Sequence, residues 1–312
     1  MNLEEKKELE TLIDLETYFF SQACLKPASY RLFHGRGCTF PALNDINIDI
    51  HHNIVVIVVF SNKSTVFINR LVEKIKSFIS TEIQSIYLQK RFLKPAETDI
   101  IYGEKKDSNF AFENSLRYAL NFNNVQNPGF FMDMRLGREK ISQICHKKSV
   151  LNLFAYTCSF SVAALKAGAN SVTNIDMKSS FLEIGRKNHA SNDISTKNVK
   201  FLKHDILKSF AKLKRLGPWD IIIIDPPNFQ KNSFSVERDY VKIIKKLDSF
   251  SSNQSDVFAC LNSPHQNIQF LVKLFTEHQP NFEWVDTLHS SDDFPEKDCE
   301  RGLKILHYKN KN

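Results

Sequence analysis

Glycine occurs only nine times in these 312 residues, no two cysteines are spaced C-x-x-C, and the longest apolar run, Ile54 to Phe60, is short. Each scarcity excludes something. A bilayer core takes about 20 consecutive apolar residues, so no membrane partner is expected. The amino-terminal stretch MNLEEKKELETLIDLETYFF carries acidic side chains from Glu4 onward and has no apolar h-region, so it does not read as a secretory signal. Cys24, Cys38, Cys145, Cys158, Cys260 and Cys299 lie far apart, which signals neither a zinc site nor a disulfide framework. Reduced thiols, no metal and a cytoplasmic location follow as expectations. No internal repeat and no low-complexity tract is present.

What remains is a chain with a core to bury. Hydrophobic residues make up 42%, phenylalanine occurs 26 times, and the formal charge is +7. A basic balance favours a polyanionic partner. The cations cluster after residue 130, most densely at Lys197, Lys200, Lys203, Lys208, Lys212, Lys214 and Arg215. Solvated helix faces explain any one such cluster equally well.

Two textures divide the chain. Residues 4–24 have the spacing of an amphipathic helix, INIDI and IVVIVVF read as a hairpin, and Ser64 opens a helix to about Ile79. Strands near 83–88, 98–102, 110–112 and 116–122 complete a small α+β domain over residues 1–128. Asn127, Pro128 and Gly129 mark its end. The domain 129–312 then alternates strands (150–154, 171–176, 199–202, 219–224, 257–261) with helices (159–168, 178–191, 205–215, 235–250, 266–278), and closes with strands at 282–288 and 303–308. Repeated βα units predict an α/β fold, a mostly parallel doubly wound sheet of the Rossmann-like kind with a terminal antiparallel strand.

Such sheets bind ligands outside the carboxyl ends of their strands. Ile221 to Phe229 read IIIIDPPNF, a buried strand ended by a carboxylate and two prolines. Pro226 and Pro227 fix two φ angles and remove two donors, so the chain after Asp225 forms a stiff lip suited to a ligand edge. The first strand, VLNLF, runs into AYTCSFS, and Asp176 lies about 20 residues beyond, where an acid can hold two ribose hydroxyls. Capping the following helix is the competing use. That turn contains no glycine, so a dinucleotide's pyrophosphate is disfavoured; a ligand with a ribose and no phosphates, such as S-adenosylmethionine, asks less of it. The lack of G-x-G-x-x-G likewise speaks against a nicotinamide oxidoreductase. Asp205 opens another helix, as a cap or as acceptor for an adenine amino group.

GFFMDMRLGRE, VLNLFAYT, NIDM, KHD and IIIIDPPNF, in this order from Gly129 to Phe229, resemble class I S-adenosylmethionine-dependent methyltransferases. The similarity is to those that modify bases of 23S ribosomal RNA, the guanine N7 and cytosine C5 families. SYRLFHGRG and ENSLRYALNFNNVQNPGFF upstream resemble their small central domain, and GLKIL their final strand. The PUA module of the cytosine enzymes is not expected. The resemblance implies that Phe154, Tyr156, Thr157, Cys158 and Ser159 form the cofactor turn, and that Asp176 with Met177 holds the ribose. It places Asp205 with Ile206 at the adenine, and Asp133 with Arg135 at the methionine end. An ion pair is the alternative use of Arg135. Where the family has Gly-Gly or Gly-Ser, this chain has Cys158 and Ser159.

The target atom decides which further groups are needed. Cytosine C5 requires a thiolate to add at C6, whereas guanine N7 and exocyclic amines already carry lone pairs. The chain reads VFACLNSPH after the fifth strand, with Asn262 at the thiol position and Cys260 two residues earlier and deeper. A nitrogen is therefore favoured. The base must leave its stack, and Phe229 is the platform to receive it, or else a core side chain beneath the loop. Asp225, Pro226, Pro227, Phe229 and Asn262 are the expected catalytic set and RNA, most of all 23S rRNA, the expected partner. DNA, a protein side chain, or an RNA-binding module without turnover are the rival readings. The oligomeric state, a homo-oligomer included, is not legible.

Overall fold

The computed structural model describes Leu12 and residues 28–79, 83–106, 108–122, 127–230 and 233–312. Apart from Leu12, the helix expected over 4–24 lies outside the described residues. The chain divides into two compact units, Met1–Met132 with Asp292–Lys297 and Asp133–Ser291 with Asp298–Asn312. The sequence placed the division at 128/129 and kept 292–297 with the second part. That short segment joins the first unit through named contacts: Lys297 N donates to Gly37 O at 2.8 Å, and His34 Nε2 lies 3.2 Å from Glu296 Oε1.

In the first unit β1 (Tyr30–His34), β2 (Ile46–His51), β3 (Ile54–Val59), β4 (Ser85–Lys90) and β5 (Glu97–Gly103) form one sheet in that order. Helix α1 (Thr65–Phe78) crosses from β3 to β4, which run parallel, while the other neighbours are antiparallel. Ser64 caps α1 by accepting from Phe67 N at 3.2 Å, which satisfies one of the helix's orphan donors. The apolar side of α1 (Phe67, Leu71, Ile75) covers Ile48, Ile57 and Ile86 of the sheet. A hairpin of β6 (Asn109–Glu113) and β7 (Leu116–Leu120) follows. β1 was not foreseen, because five residues with one interior charge carry little pattern.

The second unit holds α2 (Arg135–Ile144), β8 (Ser149–Leu153), α3 (Ser159–Lys166), β9 (Ser171–Asp176), α4 (Ser179–Ser191), β10 (Val199–Lys203) and α5 (Phe210–Leu216). There follow β11 (Trp219–Ile224), the two-residue strands β12 (Phe229–Gln230) and β13 (Phe234–Ser235), α6 (Val236–Ile244), β14 (Ser251–Leu261), α7 (Ile268–His278), β15 (Phe282–His289) and β16 (Lys304–Asn310). The main sheet is ordered β10-β9-β8-β11-β14-β16-β15. Its first five strands are parallel, and β16, last in the chain, is antiparallel to both neighbours. This is the mostly parallel Rossmann-like sheet the βα alternation predicts. The four isoleucines of β11 sit at its centre, fully buried and pointing alternately into the layers on either face.

Three elements differ from expectation for visible reasons. Helix α2 is polar in sequence and contains Gly137, yet that glycine lets it approach the sheet: a Cβ there would lie 2.6 Å from Ile305 Cδ1. The helix expected over 205–215 is split, because Ser209 Oγ donates to Asp205 O at 2.6 Å and ends a 3-10 turn (Ile206–Lys208) before α5 begins. Strand β14 starts six residues before its apolar run because its buried Asp256 is satisfied by His307 of β16 at 2.8 Å and by Lys148 at 3.0 Å.

Candidate active site

The chain order reverses between β8 and β11: β9 and β10 lie to one side of β8, β11 and β14 to the other. In a parallel sheet this switch point opens a crevice at the carboxyl ends, and the turn after β8 borders it. The turn has an unusual backbone. Phe154, Tyr156 and Cys158 all take positive φ, at 59°, 47° and 62°. A non-glycine residue in this region costs about 1–2 kcal/mol, so the surroundings must hold three strained residues in place.

Asp176, at the end of β9, supplies part of that hold. Its Oδ2 accepts from Tyr156 N and its Oδ1 from Lys178 N, each at 2.9 Å. The carboxylate thus bridges the turn and the entry to α4. Burial raises its pKa, and the backbone N–H groups of Lys178, Tyr156 and Met177, with the Lys178 charge, work against that rise. A carboxylate has about four lone-pair positions, so two bonds leave each oxygen able to accept again. Met177 beside it is 39% exposed and offers part of an apolar side chain to solvent.

Below the turn runs a buried polar chain. His189 Nδ1 faces Gly185 O at 2.7 Å, which can only accept, so Nδ1 carries the proton and Nε2 accepts from Ser161 Oγ at 2.9 Å. Ser161 accepts from Asn174 Nδ2 at 3.0 Å, and Asn174 Oδ1 from Asn152 Nδ2 at 2.9 Å. Burial lowers the His189 pKa, in keeping with this neutral tautomer.

The other expected cofactor residues divide by exposure. Thr157 and Cys158 are buried, main chain included, and Ser159 is half-buried. Asp205 caps the 3-10 turn through Leu207 N at 3.0 Å, and Ile206 is buried in the main core. Asp133 and Arg135 are half-buried at the start of α2.

The lip after β11 has no regular secondary structure as far as β12. Pro226 is buried, Pro227 and Asn228 are exposed, and β12 then pairs with β13 as a small ribbon. The ribbon sorts its two aromatics: Phe234 is buried edge-on against Phe154 with centroids 5.0 Å apart, while Phe229 is 72% exposed. Phe229 is therefore not a core side chain. Asn228 Nδ2 donates to Asn262 O, which ties the lip to the loop after β14. Behind them the Tyr240 hydroxyl donates to Ile224 O at 3.3 Å and to Cys260 O at 3.1 Å, pinning the ends of β11 and β14 together.

Asp225 itself is half-buried. Burial, with Asp133 adding like charge, pushes its pKa up to about 7, and Arg138 opposes the rise. Arg138 is 1% exposed and was missed in the sequence, although R-x-x-R spacing places it one turn beyond Arg135. Lys304, also missed, is fully buried; its Nζ donates to the carbonyls of Ser263 (3.1 Å), Gln266 (3.0 Å) and Glu300. One cation thereby fixes the loop that begins at Asn262. The lone lysine interrupting GLKIL was its signal. The Cys260 thiol is driven well above its ordinary pKa by burial and by Asp225 and Asp133, so it is held protonated.

The family model for S-adenosylmethionine-dependent methyltransferases matches residues 30–309. The chain belongs to that family. Among relatives of this methyltransferase, ribosomal RNA large subunit methyltransferase I of Aeromonas salmonicida is 33% identical over 137 residues, 43% of this chain and 35% of that protein. Methyltransferase K/L of Alteromonas mediterranea is 38% identical over 151 residues, 47% of this chain and 21% of its own. The match thus spans about a third or less of these two curated relatives. The provisionally named ribosomal RNA large subunit methyltransferase YwbD of Bacillus subtilis is 27% identical over 281 residues, 85% of this chain and 70% of that one. The crystal structure of SMU.776 complexed with SAH superposes with a TM-score of 0.84 at 25% identity, covering 96% of this chain and 81% of that one.

The methyltransferase's cofactor is S-adenosylmethionine, and the crevice suits it. Asp176 keeps acceptor capacity for two hydroxyls, Met177 offers apolar surface, and a ligand without phosphates does not need a glycine approach at the turn. Among the described residues no group of His, Cys, Asp and Glu is arranged to hold a metal, and no helix is long and apolar enough to cross a membrane.

Proposed function

We propose that this methyltransferase acts on a nitrogen of an RNA base, with large-subunit ribosomal RNA as substrate. One observation carries the reading: the Asp225-Pro226-Pro227 lip ends in the exposed ring of Phe229, and Asn228 between them is hydrogen-bonded to the loop at Asn262. A splayed base needs such a ring, because an aromatic face returns about 1–3 kcal/mol of the stacking it gives up.

When bound, S-adenosylmethionine supplies an electrophilic methyl group on a sulfonium. The protein's part is alignment. Asp176 and Met177 would hold the ribose side, with the backbone of 154–159 beneath it and Asp205 with the Ile206 main chain toward the adenine. Asp133 and Arg135 would receive the methionine end, where a guanidinium suits a carboxylate. Asp225 would accept from the base edge while Pro226 and Pro227 keep the lip extended, Phe229 would stack on the base, and Asn262 would bound its far side. Holding nucleophile and methyl in line supplies much of the rate enhancement for such a displacement.

Nitrogen is favoured over cytosine C5 by the thiol chemistry. C5 attack needs a thiolate beside the base, and the loop after β14 offers Asn262 while Cys260 is buried and protonated. RNA is favoured by charge as well as by relatives. From Lys197 to Arg215 seven cations face one carboxylate, Asp205. Lys200 and Lys203 of this stretch are exposed on β10, the edge strand of the sheet. Neutralising phosphates makes RNA affinity fall with salt. A ribosomal substrate also places the protein in the cytoplasm. Mass mapping of ribosomal RNA from a strain lacking the gene, against wild type, tests the reading: one nitrogen-methylated base should vanish. An unchanged modification map rejects it.

A further inference from the structure

We propose that Gly185 and Asn188 of α4 are positioning residues for the cofactor turn, forming a notch and a clamp that let position 158 carry a cysteine. The proposal rests on the reading of residues 154–159 as the S-adenosylmethionine turn, and deepens it. Cys158 stands at φ 62° and ψ 32°, in the left-handed region where an L residue is strained. Its side chain is 0% exposed and is directed at α4. There it meets the one residue without a side chain: a Cβ built on Gly185 would lie 2.5 Å from Cys158 Sγ and 3.0 Å from Cys158 Cβ. No side chain larger than hydrogen fits while the cysteine keeps this pose.

Three residues further along α4, on the same face, Asn188 Nδ2 donates to Thr157 O at 3.0 Å in a fully buried setting. The carbonyl directly before the strained residue is therefore clamped by the helix that receives its side chain. A glycine inside a helix weakens it. Here the helix turn is reinforced by His189 Nδ1 donating to Gly185 O and by Asn192 Nδ2 donating to Asn188 O at 2.7 Å. α4 is thus stiff at the place where it braces the turn. Strain that a glycine at 158 would avoid is offset by contacts from another element, so the turn reaches its shape by packing.

The test is a double-mutant cycle on the full chain, reading the dissociation constant for S-adenosylmethionine by calorimetry and the thermal midpoint for each variant. Overpacking the notch with Gly185→Ala should weaken binding about tenfold or more. In the Cys158→Gly background the same substitution should change binding by less than about threefold, because the methyl then meets no side chain. Asn188→Ala, which leaves the notch intact, should weaken binding about fivefold while kcat at saturating cofactor stays near wild type. That pattern supports the pair as positioning residues. Variants that lose thermal stability yet bind as tightly as wild type overturn it, as does an equal effect of Gly185→Ala in both backgrounds. If Gly185→Ala does not fold, Asn188→Ala and the double variant still decide. A wild type that binds no cofactor removes the reading of the turn itself, a result distinct from indifferent variants.

Discussion

Asp225→Asn should give a protein that is more stable at pH 8 and inactive in methyl transfer. The carboxyl is half-buried, and burial together with the like charge of Asp133 pushes its pKa from 3.8 up to about 7. Between these two values the folded protein keeps a proton on Asp225 that the unfolded chain has already released. Folded stability therefore falls as pH rises from about 4 to 7 and stays low above that. At 1.36 kcal/mol per unit, a rise of about three units amounts to about 4 kcal/mol at pH 8. The amide has its own desolvation cost on burial, which offsets roughly half and leaves about 2 kcal/mol. For a domain of about 150–250 residues that is a rise of about 4–8 °C in the thermal midpoint, and at pH 5.5, where the proton-linked cost is only about 2 kcal/mol and the amide cost is unchanged, the gain nearly vanishes. Scanning calorimetry of both proteins at the two pH values reads it directly. A midpoint that does not rise at pH 8, or a gain that is the same at both pH values, refutes the picture of a carboxyl whose pKa is raised on folding. Retained turnover in Asp225→Asn or Asp225→Ala removes the residue from the site.

Cys260→Ala should keep most of the methyl transfer activity at saturating substrates, because its thiol is buried and protonated; complete loss in single-turnover assays revives a cytosine C5 mechanism. Phe229→Ala should weaken RNA binding or raise KM for RNA by about 5- to 150-fold through lost stacking, with cofactor affinity unchanged. A variant with wild-type RNA kinetics takes the ring out of the site. Lys304→Met strips three buried carbonyls of their donor and should cost about 3 kcal/mol of stability in denaturant unfolding; a loss under 0.5 kcal/mol by the same measure shows that the lysine does not hold the loop.

The sheet was legible because β8, β9, β10 and β11 are apolar runs of strand length and the helices between them keep a 3.6-residue period. Asp176 was legible for the same reason, as its distance from the first turn is set by one βα unit. Where side chains from distant segments meet, single-sequence patterns say little. Arg138 and Lys304 were not singled out, since nothing local shows that the charge of one acts on Asp225 and that the other donates to three carbonyls. Strand β14 was placed too short because its polar half is neutralised by His307 and Lys148, residues 51 and 108 positions away. The absence of glycine in the turn was plain in the sequence. That three other residues would take left-handed backbone there, with α4 as the brace, is a tertiary fact.

Transfer of isotopically labelled methyl from S-adenosylmethionine to unmodified large-subunit ribosomal RNA by the purified chain, followed by nucleoside mass spectrometry, bears most directly on the proposed chemistry. The label should appear in a single nucleoside, on a base nitrogen, and should be lost with Asp225→Ala. Label on C5 of cytosine, on protein or DNA instead of RNA, or nowhere while cofactor still binds, contradicts it.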